Sequence, residues 1–183
     1  MLSDLITALF LLLPIVIGGV LHMVVLTHGW AAVLKVPVYP RWFGANKTWH
    51  GFIIMPLVTI PGVFVAQGVE QMLSPTQMIG VTLMPYSPIV LGGILGMGYI
   101  LFELPNSFVK RRLGIAPGET PAQYRLFFIL LDQVDSAFGF VLAYYWVTDM
   151  SFSIALTMLL IFPGVALLVK RLLFIFKLKK NYT

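Results

Sequence analysis

The sequence predicts an all-α, polytopic integral membrane protein. It has five transmembrane helices, with the N-terminus outside and the C-terminus cytoplasmic. Two observations of composition and one of pattern lead there. Hydrophobic residues make up 59% of the 183-residue chain and charged residues 10%, whereas soluble domains carry about 25% charged residues. A single soluble core of this size has no room for so much apolar surface, which excludes a soluble globular enzyme, and so much apolar content excludes a disordered chain. The pattern is one of charge: all 12 Lys and Arg fall in three of the six segments outside the apolar stretches. With five spans those three segments share one side, which sets the orientation by the positive-inside rule.

The first span covers about residues 5–26, long enough to cross about 30 Å of hydrocarbon as a helix. Residues 1–34 hold no Lys or Arg, so this segment lacks the basic start of a secretory signal. Pro14 and the pair Gly18–Gly19 bend it or admit a close neighbour. The second span, about 51–68, is short and carries Pro56 and Pro61; prolines free carbonyls that in lipid need other partners, so it packs inside the bundle or is irregular near its end. The third, about 88–109, holds Gly92, Gly93, Gly96 and Gly98, a tight helix-contact face. The fourth runs over about 126–147 and the fifth, uncharged, over about 152–169. Loops of about 27–50 and 110–125 are cytoplasmic. No internal repeat or linker interrupts residues 1–183, which read as one transmembrane domain in a multi-pass protein of the cell membrane.

Lys35, Arg41 and Lys47 follow the first span, Lys110, Arg111, Arg112 and Arg125 separate the third from the fourth, and Lys170, Arg171, Lys177, Lys179 and Lys180 follow the fifth. The other segments hold Asp4, Glu70 and Asp149. The net charge of +5 therefore reports topology and contact with the head groups of the bilayer, not nucleic acid. The absence of cysteine excludes a disulfide scaffold, thiol chemistry and a Cys-based metal site.

Three acids stand at membrane depth: Glu103, Asp132 and Asp135. A mid-bilayer charge costs at least about 2.5 kcal/mol, so such groups face a bundle interior or a wet cavity. Asp132 and Asp135, at i and i+3, share a helix face, and Glu103 lies at similar depth. Three converging carboxylates suit Mg²⁺, which takes a few carboxylates with phosphate and water; the plainer reading pairs each acid with an arginine. The flanking segments offer phosphate chemistry. Ser107 leads into Lys110-Arg111-Arg112, donors able to grip polyphosphate or simply to anchor the protein at the head groups. The first loop reads Gly44-Ala45-Asn46-Lys47-Thr48-Trp49-His50-Gly51. It lacks the glycine before the lysine and the preceding strand of a nucleotide P-loop, but it can still present donors to phosphate. His22 and His28 read as packing or interface residues.

Taken together, Asn46-Lys47-Thr48-Trp49-His50-Gly51, Ser107 to Ile115, Pro117-Gly118 and Asp132-Gln133-x-Asp135 resemble the CDP-archaeol synthase family, small five-helix relatives of CDP-diacylglycerol synthase. The resemblance implies a nucleotidyltransferase of phospholipid biosynthesis. It would use CTP, a membrane lipid phosphate and Mg²⁺, and yield a CDP-lipid and pyrophosphate. Carried over by position, Asp132 and Asp135 are catalytic and metal-binding residues, with Glu103 as a further ligand and Lys110 catalytic. Asn46, Lys47, Thr48, His50, Ser107, Arg111 and Arg112 bind substrate. Glu103, Asn106 and His50 stand where the family usually has Asp, Lys and Arg. Two other classes compete with this reading: a small ion- or proton-coupled transporter, and an inactive lipid-phosphate-binding homologue.

Overall fold

The computed structural model describes residues 2–73, 79–119, 125–176 and 178. Pro121 and the C-terminal Lys177, Lys179 and Lys180, part of the charge pattern above, lie outside the described residues. Five long helices carry the structure: α1 (Leu2–Thr27), α3 (Trp49–Leu73), α4 (Pro88–Arg112), α5 (Arg125–Val147) and α6 (Phe152–Ile175), with a single-turn helix, α2 (Pro40–Phe43), in the first loop. All five are long and apolar enough to cross a membrane. Each packs on its successor, α1 on α3, α3 on α4, α4 on α5 and α5 on α6, and α6 closes the ring against α1.

Small residues set how closely the helices approach. A Cβ on Gly62 would lie 2.5 Å from the Pro14 carbonyl oxygen, so α3 seats on the proline-bearing segment of α1. A Cβ on Gly92 would lie 2.7 Å from Ile60 Cα, and one on Gly96 2.5 Å from Pro56 Cα. The tightest approach joins α4 to α5, where a Cβ on Gly139 would stand 2.0 Å from the Gly98 carbonyl oxygen. The glycine face of the third span is thus a contact face, as its spacing predicts. Gly92 and Gly96 close on α3 and Gly98 on α5, while Gly93 has open space around it.

The proline-bearing second span takes the first of its two expected forms, packed inside the bundle between α1 and α4, and it is longer than the 51–68 expected. It is one uninterrupted helix, Trp49–Leu73, with Pro56 and Pro61 inside it. The buried Thr59 hydroxyl donates to the Met55 carbonyl at 2.7 Å. At the far end Glu70 is buried, and its carboxylate accepts from the Thr82 hydroxyl and from the Leu83 amide at 2.8 Å.

Candidate functional site

The site is built where α4 ends and α5 begins. Along α4, Glu103, Asn106 and Lys110 are spaced i, i+3, i+7, so they line one face. Along α5, Asp132, Asp135 and Ser136 do the same at i, i+3, i+4. The close Gly98–Gly139 approach brings the two faces within reach of short side chains. Asn106 Nδ2 donates to Asp132 Oδ1 at 2.6 Å and to Asp135 Oδ2 at 2.7 Å. Lys110 Nζ pairs with Asp132. Ser136 Oγ lies 3.0 Å from Glu103 Oε1 and 3.1 Å from Asp135 Oδ1. Three acids from two helices therefore belong to one polar network, and two of them are ion-paired by lysines rather than arginines.

Lys110 is buried and also sits 5.3 Å from the centre of the Phe128 ring. Its partner Asp132 keeps a side chain 37% exposed. The pair thus ties a desolvated cation to a carboxylate that still has open oxygen surface.

The first loop reaches in from the other side. Val38 N donates to Lys47 O at 2.8 Å and Trp49 N to Val36 O at 3.0 Å, an antiparallel pairing around Pro37 and Thr48. The α2 turn fills its tip and packs on α4 through Trp42 and Phe108, rings 5.7 Å apart. This excursion delivers Lys47 Nζ to Glu103 Oε2. Gly44 follows α2 with φ +87° and ψ 166°, a conformation essentially restricted to glycine. A Cβ there would meet Pro117 Cγ at 3.1 Å and Arg111 Nη1 at 3.4 Å.

The segment after α4 is shaped by two more glycines. Ile115 N donates to Lys110 O at 3.0 Å and Gly114 N to Arg111 O at 3.2 Å, with Gly114 at φ +75°. That is a Schellman ending of the helix. Glu119 N then donates to Ala116 O at 3.1 Å across Pro117-Gly118, with Gly118 at φ +83°, a type II turn. Both turns fold the chain back over the first loop.

Between these pieces lies a polar cavity of about 330 Å³. Of the residues singled out by sequence, Asn46, Lys47, Glu103, Ser107, Lys110, Arg111, Asp132 and Asp135 line it. Three do not. Thr48 takes part in the loop pairing, and Arg112 is exposed with its guanidinium 4.9 Å over the Phe108 ring. His50 is buried behind the cavity, its ring 5.4 Å from that of His22 and its Nε2 3.2 Å from the Trp30 carbonyl oxygen. Other lining residues went unmarked as site residues: Tyr99, Gln133, Lys170 and Asn106. In the sequence Gln133 is only a letter of the Asp-Gln-x-Asp motif, Asn106 only a departure from the family's usual Lys, and Lys170 only a topological anchor. The i+3 and i+4 spacing from Asp132 was the signal for Ser136.

Arg111 has the most telling environment. Among the described residues its buried Nε and Nη1 have no hydrogen-bond partner, although it borders the cavity. Buried guanidinium donors left unmatched carry a desolvation cost that an anion would offset. Asn106 Oδ1 is likewise buried without a partner. The amide nitrogen, not this oxygen, faces Asp132 and Asp135; two carboxylates such as these are ligands that Mg²⁺ takes together with phosphate oxygens and water. Among the described residues no three His, Asp or Glu side chains are grouped so as to hold a metal ion by themselves.

A family model described as CarS-like, CDP-archaeol synthase, matches residues 1–182. A CDP-archaeol synthase of Staphylothermus marinus is 31% identical over 108 residues, covering 57% of this chain and 48% of that protein. The matched region spans about half the length of that relative. No solved structure matches the chain.

Proposed function

We propose that this chain, which belongs to the CarS-like CDP-archaeol synthase family, is a CTP-dependent cytidylyltransferase. It joins CTP to a membrane lipid phosphate, and the products are a CDP-lipid and pyrophosphate. The observation that carries this reading is the buried, unpartnered guanidinium of Arg111 at a cavity that also holds Lys47, Lys110, Asp132 and Asp135. Donors for a polyphosphate and carboxylates for its counter-ion meet in one place.

A phosphate oxygen of the lipid attacks the α-phosphorus of CTP. The new oxygen–phosphorus bond forms as the bond to the bridging oxygen of pyrophosphate breaks, and the electron pair leaves with pyrophosphate. A lipid phosphate is already anionic near neutral pH, so no strong general base is needed. The obstacle is bringing two anions together, and the side chains act on that by charge and position. Arg111 offers a planar pair of donors to the triphosphate. Lys110, held by Asp132 and the Phe128 ring, and Lys47, held by Glu103, place fixed positive charge on either side. Mg²⁺ held by Asp132 and Asp135, with Glu103 beside them, would neutralise phosphate charge as a Lewis acid. Asn106 and Ser136 fix the three carboxylates relative to one another.

The cavity sits at the end of the bundle formed by the last turns of α4 and the first of α5. With the N-terminus outside, that end faces the cytoplasm, where CTP is. Tags at the two termini accessible from the same side would refute this orientation. A transporter would need its acids placed for passage across the bundle, whereas these are tied together at one end. The reaction is tested on purified protein with CTP, Mg²⁺ and a dialkyl or diacyl glycerol phosphate. Pyrophosphate release that requires the lipid phosphate supports it. Absence of release with either lipid class would remove it.

A further inference from the structure

A second cavity, of about 200 Å³, lies beside α1 and adjoins the polar one: Tyr99, Glu103, Gln133 and Lys170 border both. Beyond those shared residues its walls are apolar, with Ile15, Val16 and Met23 of α1 facing Phe162, Ala166 and Leu173 of α6. Two details mark it as a place for a ligand. Gly19 lines it, and a Cβ there would meet nothing within 4 Å. Unlike Gly62, Gly96 or Gly139, this glycine serves no helix contact. His22, one turn along α1, also lines it, and its buried Nε2 has no hydrogen-bond partner among the described residues. The His50 ring against which it leans is engaged elsewhere, its Nε2 facing the Trp30 carbonyl.

We infer that this cavity takes a hydrocarbon chain of the lipid phosphate, and that His22 Nε2 meets the oxygen that links the chain to the polar head. The inference rests on the cytidylyltransferase reading and adds where the lipid lies in this chain. A lipid phosphate is a charged head, a short run of ether or ester oxygens, and an apolar chain. The two adjoining cavities offer the same order of surfaces: polar walls, one unmatched ring nitrogen, then apolar walls. An unpaired buried polar atom is costly in an apolar surround, and a linking oxygen of the substrate would satisfy it. The chain enters between α1 and α6, not at the glycine face of α4.

Two measurements test this. In the first, Gly19→Leu fills the open space without a backbone clash. It should raise KM for a long-chain dialkyl glycerol phosphate about tenfold, the loss expected when about two methylenes are kept out of an apolar site. KM for CTP and for a water-soluble short-chain analogue should not change. Gly164→Leu, at an exposed α6 position with open space, should change none of them. His22→Leu should raise the lipid KM severalfold, and His22→Gln, which keeps a polar group there, should recover it. In the second measurement, a long-chain lipid phosphate carrying a diazirine in its chain is photo-crosslinked to the protein without CTP, so no turnover is needed. Adducts on α1 and α6 around Val16–Met23 and Ala166–Leu173, lost in Gly19→Leu, support the inference. Adducts confined to other helices, or an unchanged lipid KM in Gly19→Leu, would overturn it. A protein that crosslinks as expected but releases no pyrophosphate would leave this site standing and refute the catalytic reading instead.

Discussion

Replacing Arg111 by Met separates binding from folding. In the unliganded protein the buried Nε and Nη1 make no hydrogen bond, so deleting them removes a desolvation cost and no protein contact. What is lost is the interaction of a cation in the last turn of α4 with the helix dipole, about 0.3–1 kcal/mol. Unliganded stability should therefore stay within about 1 kcal/mol of the parent, about 2–4 °C in Tm for a chain of this size. Binding should behave differently. Two charge-assisted hydrogen bonds at about 1.5 kcal/mol each give about 3 kcal/mol, roughly a 100-fold loss of CTP affinity. Ligand-induced thermal stabilisation reads both at once. At a CTP concentration about 100 times the parent's Kd, the parent gains about 2.7 kcal/mol and the variant only about 0.4. The assay is a melting curve of detergent-solubilised protein with and without CTP and Mg²⁺. A variant that melts well below the parent without ligand, yet keeps the parent's CTP-induced shift, would refute the reasoning. Arg111 would then be a structural residue.

Asp132→Asn and Asp135→Asn should each lower turnover at least about 100-fold, since a lost charge at the phosphates forfeits several kcal/mol; a near-normal rate with unchanged Mg²⁺ dependence would return that residue to a structural role. Gly44→Ala places a side chain in a glycine-only conformation costing about 1–3 kcal/mol, against Pro117 and Arg111. Its kcat/KM for CTP should fall about tenfold or more, and an unaltered value would separate the first loop from the site. Gly139→Val drives a side chain into the Gly98 carbonyl and should lower Tm by at least about 6 °C. Gly93→Ala, with open space around it, should not, and equal melting of the two variants would contradict the α4–α5 contact.

Much of this was legible in the sequence because it followed from single-chain periodicity. Five apolar stretches of spanning length give five helices, and the i, i+3 spacing of Asp132 and Asp135 puts both on the face that meets α4. Other features depend on partners distant in sequence. Pro56 and Pro61 leave two outcomes open, packing inside the bundle or irregularity near the end of the span, and only the neighbours α1 and α4, which flank the unbroken α3, decide for the first. The lysine partners of Glu103 and Asp132 could not be chosen from a list of basic residues, since Lys47 arrives only through the pairing of residues 36–38 with 47–49. His50 was placed beside the phosphate loop by adjacency, but it begins α3, and helix geometry turns it inward to His22. Lys170 was hidden for the opposite reason: α6 continues past it to Ile175, so a residue counted as lying outside the membrane borders the cavity.

The most direct test of the central claim is which phosphorus of CTP ends in the lipid. Purified protein is incubated with Mg²⁺, a lipid phosphate, and CTP labelled either at the α- or at the γ-phosphorus, and the lipid fraction is counted. Attack at the α-phosphorus predicts that the α label enters the lipid in step with pyrophosphate release, while the γ label stays in the aqueous phase as pyrophosphate. Gamma label in the lipid would mean phosphoryl transfer, and no label from either position would mean no transfer. Either result would contradict the assignment of this cavity to cytidylyl transfer.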